Sequence, residues 1–571
     1  MLKKFLQVSL LVGAAVVLSL QAQAQSVSLN IIGSSAQFLE AGLGANYTSG
    51  GINAPCVWSV SSSNIVATDT SVTPSAVDKG SAWVEWTKGG GTCAVPGSTS
   101  LIYAYLNTDS VVGNRCLFNS TCTISYAPGS GTAPSGLILT GGTANCGTTG
   151  ECTLPAVIAN KLTNVRPNVA ATDIRPEDAE FAISRALHPC GSPVVSGSQY
   201  LGLGYSNGGV IDSAVSTKAF NVVYFLLPSS YNVTLVGATA ELVAVHGDGT
   251  GTGFATSGNL SNSTLAKMLD GTIETTPNGG AANVLLREPL SGTYNTMEYN
   301  IPNATGNTVG ITPASANKTS QDVGLNQAVA QRNCSDNGTG TAAVTTLKFT
   351  NSTTGATRLR AIGTGEELSE VGSYANGKGG TNNLGYSFWS VANFASLGTV
   401  ARTGFYTVDD VDPLDKTSCS YTGVIPTTGS AALACVDMHN VGNGTYPIWS
   451  LLRMVNTNTS ISSTVATLAS AEQHFVSFNT TTSRPDFIVP SSMSVVRSHF
   501  VPPVPTGDSF KYYEPASTSI ANGDAQLGNG RTACTSPELG GDVGGVVITL
   551  TSDSSWCSTN SNTHGQTGER R

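Results

Sequence analysis

Leu286-Arg287-Glu288-Pro289-Leu290-Ser291-Gly292-Thr293 sets an arginine four residues ahead of a Ser-Gly-Thr turn, and helix-compatible sequence follows. The first N–H groups of a helix have no intrahelical partner, so a helix that starts at such a turn offers backbone donors to an anion, with two hydroxyls beside them. A guanidinium adds a planar fork of donors suited to a tetrahedral oxyanion. The stretch therefore predicts an oxyanion clamp in which Arg287 supplies the charge and Ser291, Gly292 and Thr293 supply hydroxyl and backbone donors.

The amino terminus predicts export. Lys3 and Lys4 precede an apolar run from Phe5 to Leu20, and Ala22-Gln23-Ala24 supplies the small residues of a cleavage site, so residues 1–24 read as a signal peptide. No cysteine stands at the cleavage point to carry a lipid anchor, and no later run reaches the roughly 20 apolar residues of a membrane span. A periplasmic or secreted chain without membrane insertion is expected. Its 12 cysteines form no paired C-x-x-C cluster for zinc, so in an oxidising compartment they are expected to be disulfides, with no metal and no cofactor. Sequence neighbours offer the pairs Cys56/Cys93, Cys116/Cys122, Cys146/Cys152, Cys419/Cys435 and Cys534/Cys557, leaving Cys190 and Cys334 to join across a long loop; spacing alone does not fix that connectivity. With 11% charged residues, the surface has to be built largely from Ser, Thr, Asn and Gly. The net charge of -9, without a concentrated Lys/Arg run, excludes a nucleic-acid partner. A small anion is still allowed, because local oriented dipoles can hold one inside an acidic protein.

Along the chain, strand and helix signals alternate. Val27, Leu29 and Ile31 alternate with Ser28 and Asn30 as in a strand, and Gly33-Ser34-Ser35-Ala36-Gln37-Phe38 then breaks into a helix. From Ala45 to about Ser100, short strand-like runs (Cys56 to Val60, Ser81 to Trp86) are separated by Gly, Ser and Thr. Ser100 to Leu106 reads as the next core strand, ending in Asn107-Thr108-Asp109-Ser110. In Ala171-Thr172-Asp173-Ile174-Arg175-Pro176-Glu177-Asp178, Pro176 and the two acidic residues after it mark a helix start. Asn259 to Ile273 gives a capped amphipathic helix closed by glycine.

In this order the segments resemble the periplasmic phosphate-binding proteins, the PstS-like receptors of phosphate ABC transporters. The resemblance is carried by the arginine with its Ser-Gly-Thr turn, the first glycine turn, Asp173 ahead of a proline, and the helix with Gly271-Thr272-Ile273. It continues through Gly363-Thr364-Gly365-Glu366-Glu367-Leu368 followed by Leu384-Gly385-Tyr386-Ser387-Phe388-Trp389, and ends at Thr445-Tyr446-Pro447-Ile448-Trp449. It spans roughly residues 27 to 455 in separated patches, and Gln37 stands where the family usually has threonine. The resemblance implies an α/β fold, the two-lobed type II periplasmic class crossed twice by the chain, here with a disulfide-stapled β-rich insertion. The expected division is 1–24 signal peptide, 25–235 first part of lobe I with the insertion at about 45–100, 236–400 lobe II, 401–470 return to lobe I, and 471–571 a C-terminal extension with a disordered end. It also implies that Ser35, Gln37 and Phe38 form the first anion-binding loop, that Ser110 donates a hydroxyl, and that Asp173 accepts the ligand's proton. The implied partners of this non-enzymatic, monomeric receptor are phosphate or a similar oxyanion and an ABC transporter permease.

Two other function classes compete. Gly204-Tyr205-Ser206-Asn207-Gly208 fits the G-x-S-x-G turn that presents a nucleophilic serine in secreted esterases. The preceding Ser196 to Gln199 is a poor central strand and no long apolar helix follows. His439 and His474, the conceivable bases, carry no triad signature, so Ser206 is expected to lie in a connector. A surface scavenger or adhesin on the same scaffold is the third reading.

Overall fold

The computed structural model describes residues 25–131, 152–176, 223–247, 258–301, 353–373, 382–476 and 485–493, apart from short gaps within them, and a few isolated residues and short strands elsewhere. The signal peptide, Ser206 and Cys146, Cys190, Cys334, Cys534 and Cys557 lie outside the described residues.

The first core is built from β1 (Ser26–Gly33), α1 (Phe38–Asn46), β2 (Cys56–Val60), β3 (Val66–Asp69), β4 (Ala76–Lys79), β5 (Ala82–Trp86), β6 (Leu101–Asn107), α2 (Ser110–Phe118), β7 (Cys122–Ser125) and β8 (Val169–Thr172). β1 lies between β6 and β8 and is parallel to both, with Ile31 opposite Tyr105 and Val169. Successive side chains of a strand point to opposite faces. Ile102, Ala104 and Leu106 accordingly join Ile32 in one apolar cluster, while Tyr103 and Tyr105 join Leu29 and Ile31 in another. Both faces are covered, as parallel strands require.

The predicted insertion is β-rich. β5 and β2 extend the main sheet by antiparallel pairing, and β3, β4 and β7 form a separate small sheet. Disulfide Cys56–Cys93 staples it, and Cys116–Cys122 ties α2 to β7 of the small sheet. Arg115 of α2 is buried against Asp69 of β3, at 3.7 Å, and Asp78 of β4, which anchors the small sheet to the first core. Cys152 differs from these cysteines. Its backbone opens a short strand, Cys152–Leu154, that pairs antiparallel with Gly129–Gly131, Cys152 standing opposite Gly131. The bridge expected between Cys152 and Cys146 is not among the disulfides of the described residues, because Cys146 lies outside them.

The second core contains β9 (Asn232–His246), α3 (Asn262–Leu269), β10 (Asn283–Arg287), α4 (Gly292–Asn300), β11 (Thr357–Ala361), α5 (Thr364–Ser373), β12 (Asn383–Phe388) and β13 (Thr403–Val408); the chain then returns through β14 (Trp449–Asn456) and α6 (Ser462–His474). β9 is the bridge between the cores. Asn232 to Ala240 pair with β14, whereas Glu241 to His246 pair with β12. β14 in turn pairs with β8 of the first core. Two adjacent strands thus cross between the lobes, and one mixed sheet runs through both in the order β11-β10-β12-β9-β14-β8-β1-β6-β5-β2.

Two boundaries differ from the sequence reading. The return into lobe I is expected over 401–470, but β13 pairs with β9, and Phe405, Leu414, Ile425, Val436 and Tyr446 pack in the second core, where Cys419–Cys435 closes a loop. The return occurs at β14. The extension placed after 470 begins as core: Val476 and Phe487 belong to the first lobe's packing, and Ile488 bridges Ala238 of β9. Among the described residues no helix is long and apolar enough to cross a membrane.

Candidate functional site

Parallel strands deliver their carboxyl ends, and the helices that follow begin there, so an open α/β sheet collects helix N-termini at one edge. At the end of β1, Gly33 has φ of 136°, and a Cβ there would lie 2.0 Å from the Ala171 carbonyl oxygen; only glycine lets β1 close on β8 at this turn. The chain then passes through Ser34 and Ser35 into α1. β6 runs into α2 through Asp109, β8 ends at Asp173, β10 ends at Arg287 and leads into α4, and α5 starts at Thr364 just after β11. Ser291 caps α4, its Oγ accepting from Tyr294 N at 3.4 Å.

These ends meet across the two lobes. Asp173, 3% exposed, donates its backbone N–H to Ser110 Oγ at 3.2 Å, accepts from Ser34 Oγ through Oδ2 at 3.3 Å, and accepts from Ser450 Oγ through its carbonyl. Gly292, at the start of α4, packs against it so closely that a Cβ would fall 1.9 Å from Asp173 Oδ1. Ser35 Oγ lies 3.4 Å from Thr364 Oγ1, and Val111 N of α2 donates to Leu290 O at 3.3 Å.

Arg287 is the charge at the centre and is only 2% exposed. Its Nη1 donates to Thr364 Oγ1 at 2.8 Å, its Nε and Nη2 donate to the two Glu288 carboxylate oxygens at 3.1 Å each, and Nη2 also donates to Asp109 Oδ1 at 2.8 Å. Glu367 Oε2 stands 3.8 Å from Nε. Burial alone would lower the guanidinium pKa, but the acidic side chains around it, the ionised Glu288 carboxylate first among them, outweigh it and hold Arg287 charged. Burial likewise opposes ionisation of Glu288, yet Arg287 beside it brings that carboxyl down to about 2. Glu367 has less help: burial pushes it up to about 8, against Arg287 and the Tyr386 N–H it accepts from at 3.0 Å.

Of the residues singled out in the sequence, Ser35, Ser110, Asp173, Arg287, Ser291 and Gly292 are brought together here, and Thr293 is buried in the first turn of α4. Ser110 uses its hydroxyl to receive the Asp173 N–H. Gln37 is otherwise engaged: its amide donates to the backbone carbonyls of Thr172 in β8 and Arg453 in β14, at 3.3 and 3.1 Å, and so ties α1 to those two strands. Phe38 sits edge-on to Tyr105, ring centres 5.4 Å apart, with its backbone N–H on Ser35 O at 3.4 Å. Sequence reasoning missed Asp109, Glu288, Thr364 and Glu367. The only signal for the first two was position, an acid directly before a helix start and an acid directly after the key arginine. Among the described residues no group of His, Cys, Asp and Glu is placed to hold a metal ion.

No family model matches the sequence, and no curated protein matches it. Solved structures similar to it include an ABC-type phosphate transport receptor from Vibrio cholerae (12% identity, 46% of this chain and 75% of the other, TM-score 0.25). A phosphate-binding protein from Stenotrophomonas maltophilia aligns at 14% identity over 64% of this chain and 75% of its own, TM-score 0.28. A DING protein aligns at 12% identity over 76% and 84%, TM-score 0.29. Likenesses this distant assign no ligand, and the functional reading rests on the geometry of the cleft.

Proposed function

We propose that this protein is an exported receptor that closes its two lobes on phosphate or a related tetrahedral oxyanion. The observation that carries the reading is the meeting of a buried guanidinium with helix N-termini from both lobes at the carboxyl edge of the sheet: Arg287, Ser291-Gly292-Thr293 and Thr364 on one side, Ser34-Ser35, Ser110 and Asp173 on the other. Arg287 provides the counter-charge, the starting turns of α2 and α4 provide donors, and Asp173 provides an acceptor for a proton that phosphate carries near neutral pH and sulfate lacks. Closure of the lobes about β9 and β14 would exclude water and strengthen each of these contacts.

Delivery of the anion to an ABC transporter permease is the role in which such a receptor is most readily used, and capture outside the cell is the other. The esterase reading gains no support from its candidate bases: His474 stacks on Tyr47 with ring centres 4.4 Å apart, and His439 is exposed at the start of a short helix. Native mass spectrometry of the exported protein, with and without added phosphate, arsenate and sulfate, tests the function. A retained phosphate adduct is expected; binding of none of the three would end the oxyanion reading.

A further inference from the structure

Asp109 occupies the N-cap position of α2, where an aspartate ordinarily turns its carboxylate onto the free N–H groups of its own helix. It does not: it makes no side-chain cap hydrogen bond, and its Oδ1 instead accepts from Arg287 Nη2 at 2.8 Å, across the cleft. The remaining side-chain contacts of the guanidinium described above, to Glu288, Thr364 and Glu367, come from Arg287's own lobe and move with it. Asp109 comes from the opposite lobe. A second contact has the same character, because Val111 N, in the first turn of α2, is met by the carbonyl of Leu290 from the loop ahead of α4. Cation and helix amide, the two donors an oxyanion would use, are therefore each engaged by an acceptor of the protein itself from across the cleft.

We infer that Asp109 is an internal surrogate for the anion, competing with it for Arg287 and so setting the affinity of the receptor. The inference rests on the oxyanion reading for its ligand but not for its geometry, which is an inter-lobe clasp. The clasp is built to be displaced. Burial, the charge of Glu288, a hydrogen bond shared with the Glu288 carboxyl and the charge of Asp78 push the Asp109 carboxyl well above the ordinary aspartate range, against the pull of Arg287, so a negative charge is poorly stabilised where it sits and the hold on Arg287 is weak. A tetrahedral oxyanion with several acceptor atoms can take Nη2 and the helix amide together, which one carboxylate oxygen does not. If the clasp holds Arg287 about nine times in ten, the apparent affinity is reduced about tenfold.

The test compares Asp109→Ser, which keeps a good N-cap but is too short to reach Arg287, with Asp109→Asn, which keeps an acceptor oxygen at the same reach. Inorganic phosphate is titrated by calorimetry, and the radius of gyration is measured by small-angle scattering in phosphate-free buffer. Asp109→Ser is expected to bind phosphate about tenfold more tightly and to be more open without phosphate, with Asp109→Asn falling between it and the wild type. Unchanged or weaker phosphate binding by a folded Asp109→Ser, with an unchanged radius, would overturn the clasp while leaving the receptor reading intact. Should neither wild type nor variant bind phosphate while the variant still opens, the clasp stands and the receptor reading fails.

Discussion

Alanine at Gly292 should force the two lobes apart. A Cβ there falls 1.9 Å from Asp173 Oδ1, 2.5 Å from its Cγ and 2.9 Å from Oδ2, whereas relaxed heavy-atom contacts lie at about 3.5 Å or beyond. The whole carboxylate would have to move by more than an ångström, and it is not at liberty to swing, being 3% exposed and held by Ser34 Oγ. Overpacking of this kind costs about 1–3 kcal/mol. Since the strain arises only when the lobes are together, it should appear as an affinity for phosphate about 5- to 150-fold weaker, read by calorimetry, with urea unfolding as the control for stability. Asp173→Ala removes the obstructing atoms, so Gly292→Ala should cost less in that background, with a coupling of at least about 0.5 kcal/mol. Equal cost in both backgrounds would refute the close approach of α4 to Asp173.

Glu367, held up at about 8 by burial, is neutral near pH 7 and has a folded pKa above its unfolded value of about 4.3. Its contribution to stability is thus complete below about pH 4, declines as pH rises and is gone above about 8, so Glu367→Gln should flatten the fall in stability between about pH 4 and 8; an unchanged slope in denaturant titrations would contradict the assignment. Replacing Cys56 and Cys93 by serine opens a bridge between residues 37 apart and should cost about 2–4 kcal/mol, visible as a lower thermal midpoint. An unaltered midpoint would remove this bridge from the stability of the insertion. Asp173→Asn replaces an acceptor with an amide that also donates, so sulfate should compete far better while phosphate still binds. The same phosphate-to-sulfate ratio in the mutant would reduce Asp173 to a strand-end residue.

Much of this was readable where local chemistry is strong. The alternation at Val27, Leu29 and Ile31 marked β1, and Ser291 before Gly292 marked the start of α4, because period-two burial and helix capping are written within a few residues. Among the described residues three of the expected disulfides are formed, between cysteines 6, 16 and 37 residues apart. For Cys152 the structure supplies a strand and its pairing with Gly131, and the expected bridge to Cys146 stays an expectation. What failed depended on distant partners. Gln37 looks like a loop donor until β8 and β14 bring the carbonyls of Thr172 and Arg453 to its amide. Asp109 looks like a helix cap until Arg287, 178 residues later in sequence, takes its carboxylate. The boundary near 401 was misplaced for a similar reason, since β13 finds its partner in β9, far back along the chain.

Titration of phosphate into wild-type protein and into Arg287→Ala tests the central claim most directly. The side chain is buried and holds the positive charge of the cleft, and truncating one partner of a buried charged pair costs about 2–5 kcal/mol, or roughly 30- to 4000-fold in affinity at 1.4 kcal/mol per tenfold. A ratio of that size between two folded proteins is expected, whatever the absolute affinity. Equal dissociation constants for the two would contradict the account, because a cleft that holds its anion without Arg287 is not the one described.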